Sequence, residues 1–222
     1  MTFLELCQTL RRECGISGSG PTTVVGQTGE YQRVVNWVAQ AWREIQEMRD
    51  DWLFMWAAGT FNTAGATRDY TPASVGVNAR RYDMESFVLT DGTGAKRLLK
   101  WVPYHNWRDI YATATVDDNV PVYITDLPDG SLRLTPAPDA VYPVTFDYYR
   151  DTQVLAANTD TPYLPARYHD IIWVKAMGYY AGYEDGREVA LDSATRYLPL
   201  LAAIETTQLP SVRLGHTPLG EE

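Results

Sequence analysis

The strongest hydrophobic pattern of the chain lies in residues 28–51, where apolar side chains recur at every third or fourth position. This spacing matches the 3.6 residues of a helical turn and continues for about six turns. Polar residues such as Arg33, Gln40 and Glu47 occupy the opposite side, and Thr28 is the predicted N-cap. The pattern predicts a long amphipathic helix whose apolar face is buried. That face comprises Tyr31, Val34, Val35, Val38, Ala41, Trp42, Ile45 and Met48.

Trp37 lies on the same predicted helix, about 120° from the centre of the apolar stripe. It adds aromatic surface beyond what a single core requires. Two interpretations stay open at this residue. Trp37 covers the edge of its own domain, since large aromatic side chains are often only partly buried, or it belongs to a subunit interface, where tryptophan is enriched.

A second helix is predicted at residues 2–14, with Thr2 as N-cap and Glu5 at the capping-box position. Its two cysteines, Cys7 and Cys14, are the only ones in the chain. They are separated by roughly 10 Å along a regular helix, which is too far for a disulfide.

Two more helices are predicted near the C-terminus, at residues 166–183 and 187–206. Gly182 and Gly186 are predicted to mark the break between them, and Pro199 is predicted to kink the second. The apolar positions assigned to the second helix are Ala190, Ala194, Tyr197, Leu198, Leu201 and Ile204.

The middle of the chain changes to a strand-like alternation with tight turns, among them residues 91–94 and the pair Asp129 and Gly130. We expect five or six short strands in an antiparallel arrangement, with one short helix at residues 104–113. That number of strands is enough for a small sandwich or an open barrel.

The order helices, strands, helices predicts an α+β fold in which the two ends of the chain form one helical bundle. Residues 28–51 are expected to be the core of that bundle. The predicted domains are residues 1–51 with 163–206 (the helical, ring-forming bundle), residues 52–150 (an inserted antiparallel β module), residues 151–162 (a linker) and residues 207–222 (an extended C-terminal tail).

Charge and composition narrow the functional classes. The net charge is −9 and the isoelectric point is about 4.8, so the chain lacks the basic surface of a nucleic-acid reader. Seven tryptophans and fifteen tyrosines exceed the needs of a small core and indicate contact surface. No leader peptide or apolar run of about 20 residues is found, which favours folding in a reducing cytoplasm and no membrane association.

No catalytic, cofactor or metal site is predicted. His105, His169 and His216 fall in three different elements, and the adjacent Asp170 fits a helix start better than a triad. Two cysteines and three dispersed histidines match no zinc-ligand spacing. Paired carboxylates from separate strands stay open as a hydrolytic site, although nothing in the sequence selects the pair.

Several stretches resemble the adaptor proteins of tailed bacteriophages, which are also called head-to-tail connector or head-completion proteins. The resemblance covers both helical parts of the chain, and the strands match by placement alone. The stretches are residues 34–42, 44–46, 49–55 and 163–172, followed by Ala176, Tyr179, Tyr180, Glu184, Asp185, Tyr197, Leu198, Leu200, Leu201, Gln208, Leu209 and Pro210.

This resemblance implies a virion protein at the head-tail interface, made in the host cytoplasm. It implies a homo-oligomeric ring, commonly of twelve copies, that binds the portal protein on one side and a tail or nozzle protein on the other. DNA would pass through its channel without specific binding. The interface candidates are Trp37, Trp42, Tyr180, Tyr183 and Tyr197, and the portal-docking tail contains Pro210, Val212, Arg213 and Leu214.

Two alternatives remain from the sequence. One is a tail-tube or minor tail protein. The other is a carbohydrate-binding or hydrolytic tail component, with Trp101, Trp107 and Tyr123 of the β module as stacking residues. A clustered aromatic platform with acids in a cleft would favour the second alternative.

Overall fold

A computed structural model describes residues 1–112 and 117–210 of the chain. The helices are α1 (Phe3–Glu13), α2 (Gly29–Glu47), α3 (Pro72–Val75), α4 (Tyr104–Tyr111), α5 (Asp170–Glu184) and α6 (Arg187–Gln208), with short 3-10 turns at Leu53–Met55 and Ala166–Tyr168. The strands are β1 (Trp56–Asn62), β2 (Asp69–Tyr70), β3 (Ala79–Tyr82), β4 (Val88–Thr90), β5 (Lys96–Leu98), β6 (Lys100–Trp101), β7 (Tyr123–Asp126), β8 (Leu132–Thr135) and β9 (Pro143–Arg150).

The chain divides into two compact units. The helical unit contains Met1–Phe54 and Gln153–Glu222, and the β unit contains Met55–Thr152. The α+β fold class expected from the sequence is confirmed.

Helix α5 is the centre of the helical unit, because it packs against α1, α2 and α6. Its buried residues lie on more than one side of the helix, as expected for a helix surrounded by neighbours. The expectation that residues 28–51 form the core of the bundle is therefore wrong, since α2 buries a single face. The buried residues of α5 are Ile171, Ile172, Trp173, Val174, Ala176, Met177 and Ala181.

The two N-terminal helix caps differ from each other. At α1 the capping box is present: the Thr2 hydroxyl accepts from the Glu5 amide at 3.3 Å, and the Glu5 carboxylate accepts from the Thr2 amide at 2.8 Å. Thr28 occupies the N-cap position of α2, as predicted, but its side chain makes no capping hydrogen bond. Gly29 has a φ of 62°, which turns the chain before the first helical turn.

The boundary between α5 and α6 lies at Asp185, which has a φ of 54°, and at Gly186. Gly182 is inside α5 and does not mark the break. Pro199 lies inside α6, and the helix runs on to Gln208.

Residues predicted as a linker are bound to α2 through a buried glutamine. The Gln46 side-chain oxygen accepts from the Gln153 amide at 2.7 Å, and its amide nitrogen donates to the Gln153 carbonyl at 3.1 Å. Leu155 of the same segment is also buried. This segment is thus part of the helical unit.

The β unit contains two sheets. The first has the order β1-β9-β4-β5, with β3 also paired to β9, and the second has the order β2-β8-β7-β6. The pairs are antiparallel except for β6 with β7, which is parallel. The all-antiparallel prediction fails at this pair because α4 lies between the two strands along the chain, and a parallel pair needs such a crossover.

The predicted five or six strands are also too few, since the described residues form nine. Leu99 interrupts what reads as one strand, and its amide donates to the Phe87 carbonyl at 2.8 Å. As a result β5 joins the first sheet and β6 joins the second.

A single core lies between the two sheets, which makes the β unit a small sandwich. Phe87 and Phe146 stack at the centre with ring centroids 4.9 Å apart. The first sheet contributes Phe61, Leu89, Val144 and Phe146, and the second contributes Tyr70, Ile124, Leu132 and Leu134.

Candidate functional site

An aromatic patch, defined as Arg33, Trp37, Tyr180 and Tyr183, lies on the surface of the helical unit. Helix α2 supplies the first two residues and α5 the other two. The Trp37 ring lies 6.0 Å from the Tyr180 ring in an edge-to-face arrangement and 5.8 Å from the Tyr183 ring. Tyr183 is 51% exposed. The patch is therefore an ordered group of rings that still faces solvent.

Arg33 fixes the outer ring of this patch. Its guanidinium carbon lies 4.2 Å from the Tyr183 ring centroid, and one guanidinium nitrogen donates to the Tyr183 hydroxyl. A guanidinium stacked on an aromatic ring loses less water on burial than an ammonium does. Such a pair is common in the cores of protein interfaces.

The sequence candidates do not form one group. Trp37, Tyr180 and Tyr183 come together in the aromatic patch. Trp42 is fully buried and its indole donates to Gln153 at 3.1 Å, so it has no surface to offer a second chain and is corrected to a core residue. Tyr197 is separate: the Lys175 ammonium lies 5.3 Å from its ring.

Lys175 belongs to a charged network that joins α2 to α5. The Glu44 carboxylate accepts from the Tyr179 hydroxyl at 2.6 Å, the Gln40 amide at 2.9 Å and the Lys175 ammonium at 3.0 Å. Burial acts to raise the pKa of Glu44, but these hydrogen bonds outweigh it and lower the pKa to about 2. This network fixes the helices rather than supplying a reactive group.

A second exposed surface, the α6 strip, was not found by sequence analysis. It consists of Leu191, Ala194, Leu198 and Ala202, which follow one another at helical spacing on the solvent side of α6. Leu191 is 60% exposed and Leu198 is 65% exposed. The assignment of Ala190, Ala194 and Leu198 to a buried face is therefore wrong. Because α6 carries apolar residues on both sides, periodicity could not select the buried one.

Within residues 1–112 and 117–210, the titratable groups considered from the sequence do not form a reactive constellation, and His216 lies outside these ranges. The His169 ring nitrogen Nε2 bonds to the Leu164 carbonyl at 2.7 Å, and burial lowers the pKa of His169. The Asp170 carboxylate accepts from the Trp173 indole at 2.9 Å. Burial raises the pKa of the Cys7 and Cys14 thiols to about 12, and both are free.

In the described part of the chain, no group of three or more histidine, cysteine, aspartate or glutamate side chains is disposed to hold a metal. None of the described helices is long and apolar enough to cross a lipid bilayer. Of the predicted docking tail, Pro210 is exposed. Val212, Arg213 and Leu214 lie outside the described residues.

The three aromatic residues proposed as a sugar-stacking platform have different environments. Trp107 is buried, its indole donates to Thr135 at 2.8 Å, and the Arg133 guanidinium covers its ring at 4.5 Å. Tyr123 contacts Tyr111, with ring centroids 5.7 Å apart. Trp101 is 43% exposed. A platform that includes Trp107 is ruled out by its burial.

Comparison with known proteins gives one family. The family model described as SU10 adaptor protein matches residues 1–214, which is nearly the whole chain. No curated protein matches the sequence.

Proposed function

This chain belongs to the SU10 adaptor protein family, and from that premise we propose that it is a structural protein of a tailed phage particle that joins the portal to the tail. Copies of the chain assemble as a ring, with twelve as the expected number, and continue the DNA channel. The protein has no chemistry of its own in this role. The bound partners are the portal protein on one side and a tail or nozzle protein on the other.

The observation that carries the ring proposal is the aromatic patch. Trp37 and Tyr183 are held by ring contacts and by Arg33, yet Tyr183 remains half exposed. Rigid aromatic surface of this kind is ordered at little further entropic cost when a second chain covers it. In an isolated monomer the aromatic patch stays in contact with water, which gives no such stabilisation.

A closed ring needs two different surfaces on each copy, because each subunit contacts its neighbours through unlike faces. The helical unit offers two: the aromatic patch and the α6 strip with its exposed Leu191 and Leu198. We assign one to each neighbour. This assignment accounts for two exposed apolar surfaces on a protein of 222 residues.

The remaining parts of the proposal rest on charge and on the C-terminus. The net charge of −9 favours passage of DNA through the channel without adhesion. The tail residues Pro210, Val212, Arg213 and Leu214 are proposed to dock on the portal protein.

Replacement of Trp37 by alanine tests the assembly. Sedimentation velocity and negative-stain electron microscopy of the purified chain, alone and with portal protein, are expected to show loss of rings. Calorimetry is expected to show a much smaller change in unfolding. The matched control is Trp56→Ala, since Trp56 is 46% exposed on β1 and belongs to the β unit. Equal loss of rings in both variants, or a loss explained wholly by unfolding, would show that the patch is not an interface.

A further inference from the structure

The β unit contains a cleft of about 620 Å³ that the ring proposal does not use. Its wall includes all of β3, the loop residues Asp83 and Glu85, Trp101 of β6, and Asp126 at the end of β7. Every lining residue belongs to the β unit. The cleft is thus a property of one folded unit.

Two strand edges border this cleft. Within the described residues, β3 is paired with β9 alone and β6 with β7 alone. Each strand therefore has one side whose backbone amides and carbonyls are not used by a neighbouring strand. An edge of this kind is a template for an added strand.

An ordered tryptophan faces the same cleft. The Trp101 indole nitrogen donates to the Asp126 carboxylate at 2.8 Å, which fixes the ring plane. The side chain is nevertheless 43% exposed. A fixed, open indole face suits contact with an apolar or cationic group of a ligand.

The acidic and the basic side chains around the cleft differ in whether they already have partners. Asp83, Glu85 and Asp126 form no ion pair with any described residue, whereas the cations of the lining already have contacts. The Arg81 guanidinium lies 4.7 Å from the Tyr149 ring centroid, and Arg80 donates to the Thr152 hydroxyl at 2.7 Å. The acidic side chains of the cleft are therefore able to bind a positively charged group of a ligand.

We propose that this cleft binds an extended segment of a partner protein, which pairs with the edge of β3 opposite β9 and places an arginine or lysine side chain against Trp101 and Asp126. Backbone pairing supplies affinity, and the cation supplies selectivity. A carbohydrate would use the indole face but has no need of a free strand edge, so the peptide is the better match.

The probe is a fluorescent, capped pentapeptide, Thr-Val-Arg-Val-Thr, added to the full-length chain. Fluorescence anisotropy is expected to give a dissociation constant below about 1 mM, and a peptide with Glu in place of Arg is expected to bind at least about tenfold more weakly. Hydrogen exchange is expected to slow at Ala79–Tyr82, because an added strand protects backbone amides.

Two variants distinguish the contribution of the Asp126 charge to peptide affinity from that of the Trp101 ring. Asp126→Asn keeps an oxygen that accepts from the Trp101 indole but removes the charge, so it is expected to weaken binding of the Arg peptide about tenfold. Binding of the Glu peptide is expected to become tighter, because the repulsion between the two carboxylates is removed. Trp101→Ala is expected to weaken both. Asp109→Asn, an exposed acid on α4 outside the cleft, is the matched control and is expected to change neither.

Four results would overturn the proposal. The first is absence of binding at about 1 mM peptide. The second is equal affinity for the Arg and Glu peptides. The third is binding without slower exchange at Ala79–Tyr82. The fourth is competition by maltotriose, which would make the cleft a carbohydrate site instead.

Discussion

The helical unit and the β unit both contain many aromatic side chains, but they use them differently. In the β unit Phe61, Phe87 and Phe146 fill the space between two sheets and are buried. In the helical unit Trp37 and Tyr183 are grouped just as closely, yet they stay at the surface. Aromatic clustering alone therefore does not distinguish a core from a surface prepared for a partner.

The difference lies in what covers the rings. A sandwich has two inner faces that cover each other, so its rings complete a core within one unit. The edge of a helix pair has no second layer, so rings that pack side by side there remain open to solvent. Their contacts with each other order them without burying them, which is the state that a neighbouring chain can use.

The largest effect expected from this comparison concerns Phe146. Its ring is buried and stacks on Phe87 with centroids 4.9 Å apart. Phe146→Ala removes these contacts and leaves a cavity, so the free energy of unfolding should fall by about 3–5 kcal/mol. Urea denaturation followed by circular dichroism measures this loss.

Tyr183→Ala is the matched truncation in the helical unit. Because the ring is half exposed, the expected loss in the free energy of unfolding is under about 1 kcal/mol. Similar losses for the two variants would contradict the distinction between a covered and an open aromatic cluster.

The next largest effect concerns Gln46, a fully buried polar residue of α2. Gln46→Leu deprives the Gln153 amide and carbonyl of their side-chain partners. Since Gln153 is half-buried, the free energy of unfolding is expected to fall by about 1–3 kcal/mol in total. Thermal unfolding measures the loss. Gln32→Leu on the exposed side of the same helix should change stability by at most about 0.5 kcal/mol. If Gln46→Leu is neutral, the segment after β9 is not held by this glutamine.

Sequence reasoning located features that depend on neighbouring residues. The capping box of Thr2 and Glu5 and the tight turns at Asp91 and Asp129 follow from local hydrogen bonds, and the structure contains all of them. The buried positions Val34, Val38 and Ile45 follow from the period of α2. In each case a short stretch of chain contains the whole physical cause.

Features that depend on distant residues were missed or wrong. The central position of α5 depends on contacts with three other helices, and the parallel pairing of β6 with β7 depends on the path of α4. The burial of Gln46 depends on Gln153, which is distant along the chain. The exposed Leu191 and Leu198 carry no signal that separates them from core leucines. The roles of the interface and tail residues stay predictions.

The smallest effect expected is electrostatic and belongs to the network that supports the helical unit. Glu44 has a pKa of about 2 in the folded chain against an ordinary 4.5. Between pH 4.5 and about pH 2 the folded state keeps the Glu44 carboxylate ionised, whereas the unfolded state binds a proton. The contribution of Glu44 to the free energy of unfolding is therefore present above pH 4.5 and is lost as the pH falls toward about 2. Since the Glu44 side chain is 35% exposed, water screens the interaction, and its worth is about 1 kcal/mol or less.

Glu44→Gln should therefore be less stable than the parent chain at neutral pH, and the difference should shrink below about pH 4 because the parent loses its advantage there. Urea denaturation at a series of pH values measures the difference. Glu47→Gln is the control, since its carboxylate lies 4.0 Å from Arg43 on the exposed side of α2, and it should show a smaller difference at every pH. A Glu44→Gln difference that stays constant down to about pH 3 would mean that the bonds from Tyr179 and Lys175 do not favour the ionised carboxylate. In that event, side-chain packing alone holds α2 against α5. The charged network then does not contribute to the order of the aromatic patch, which is formed by the same two helices.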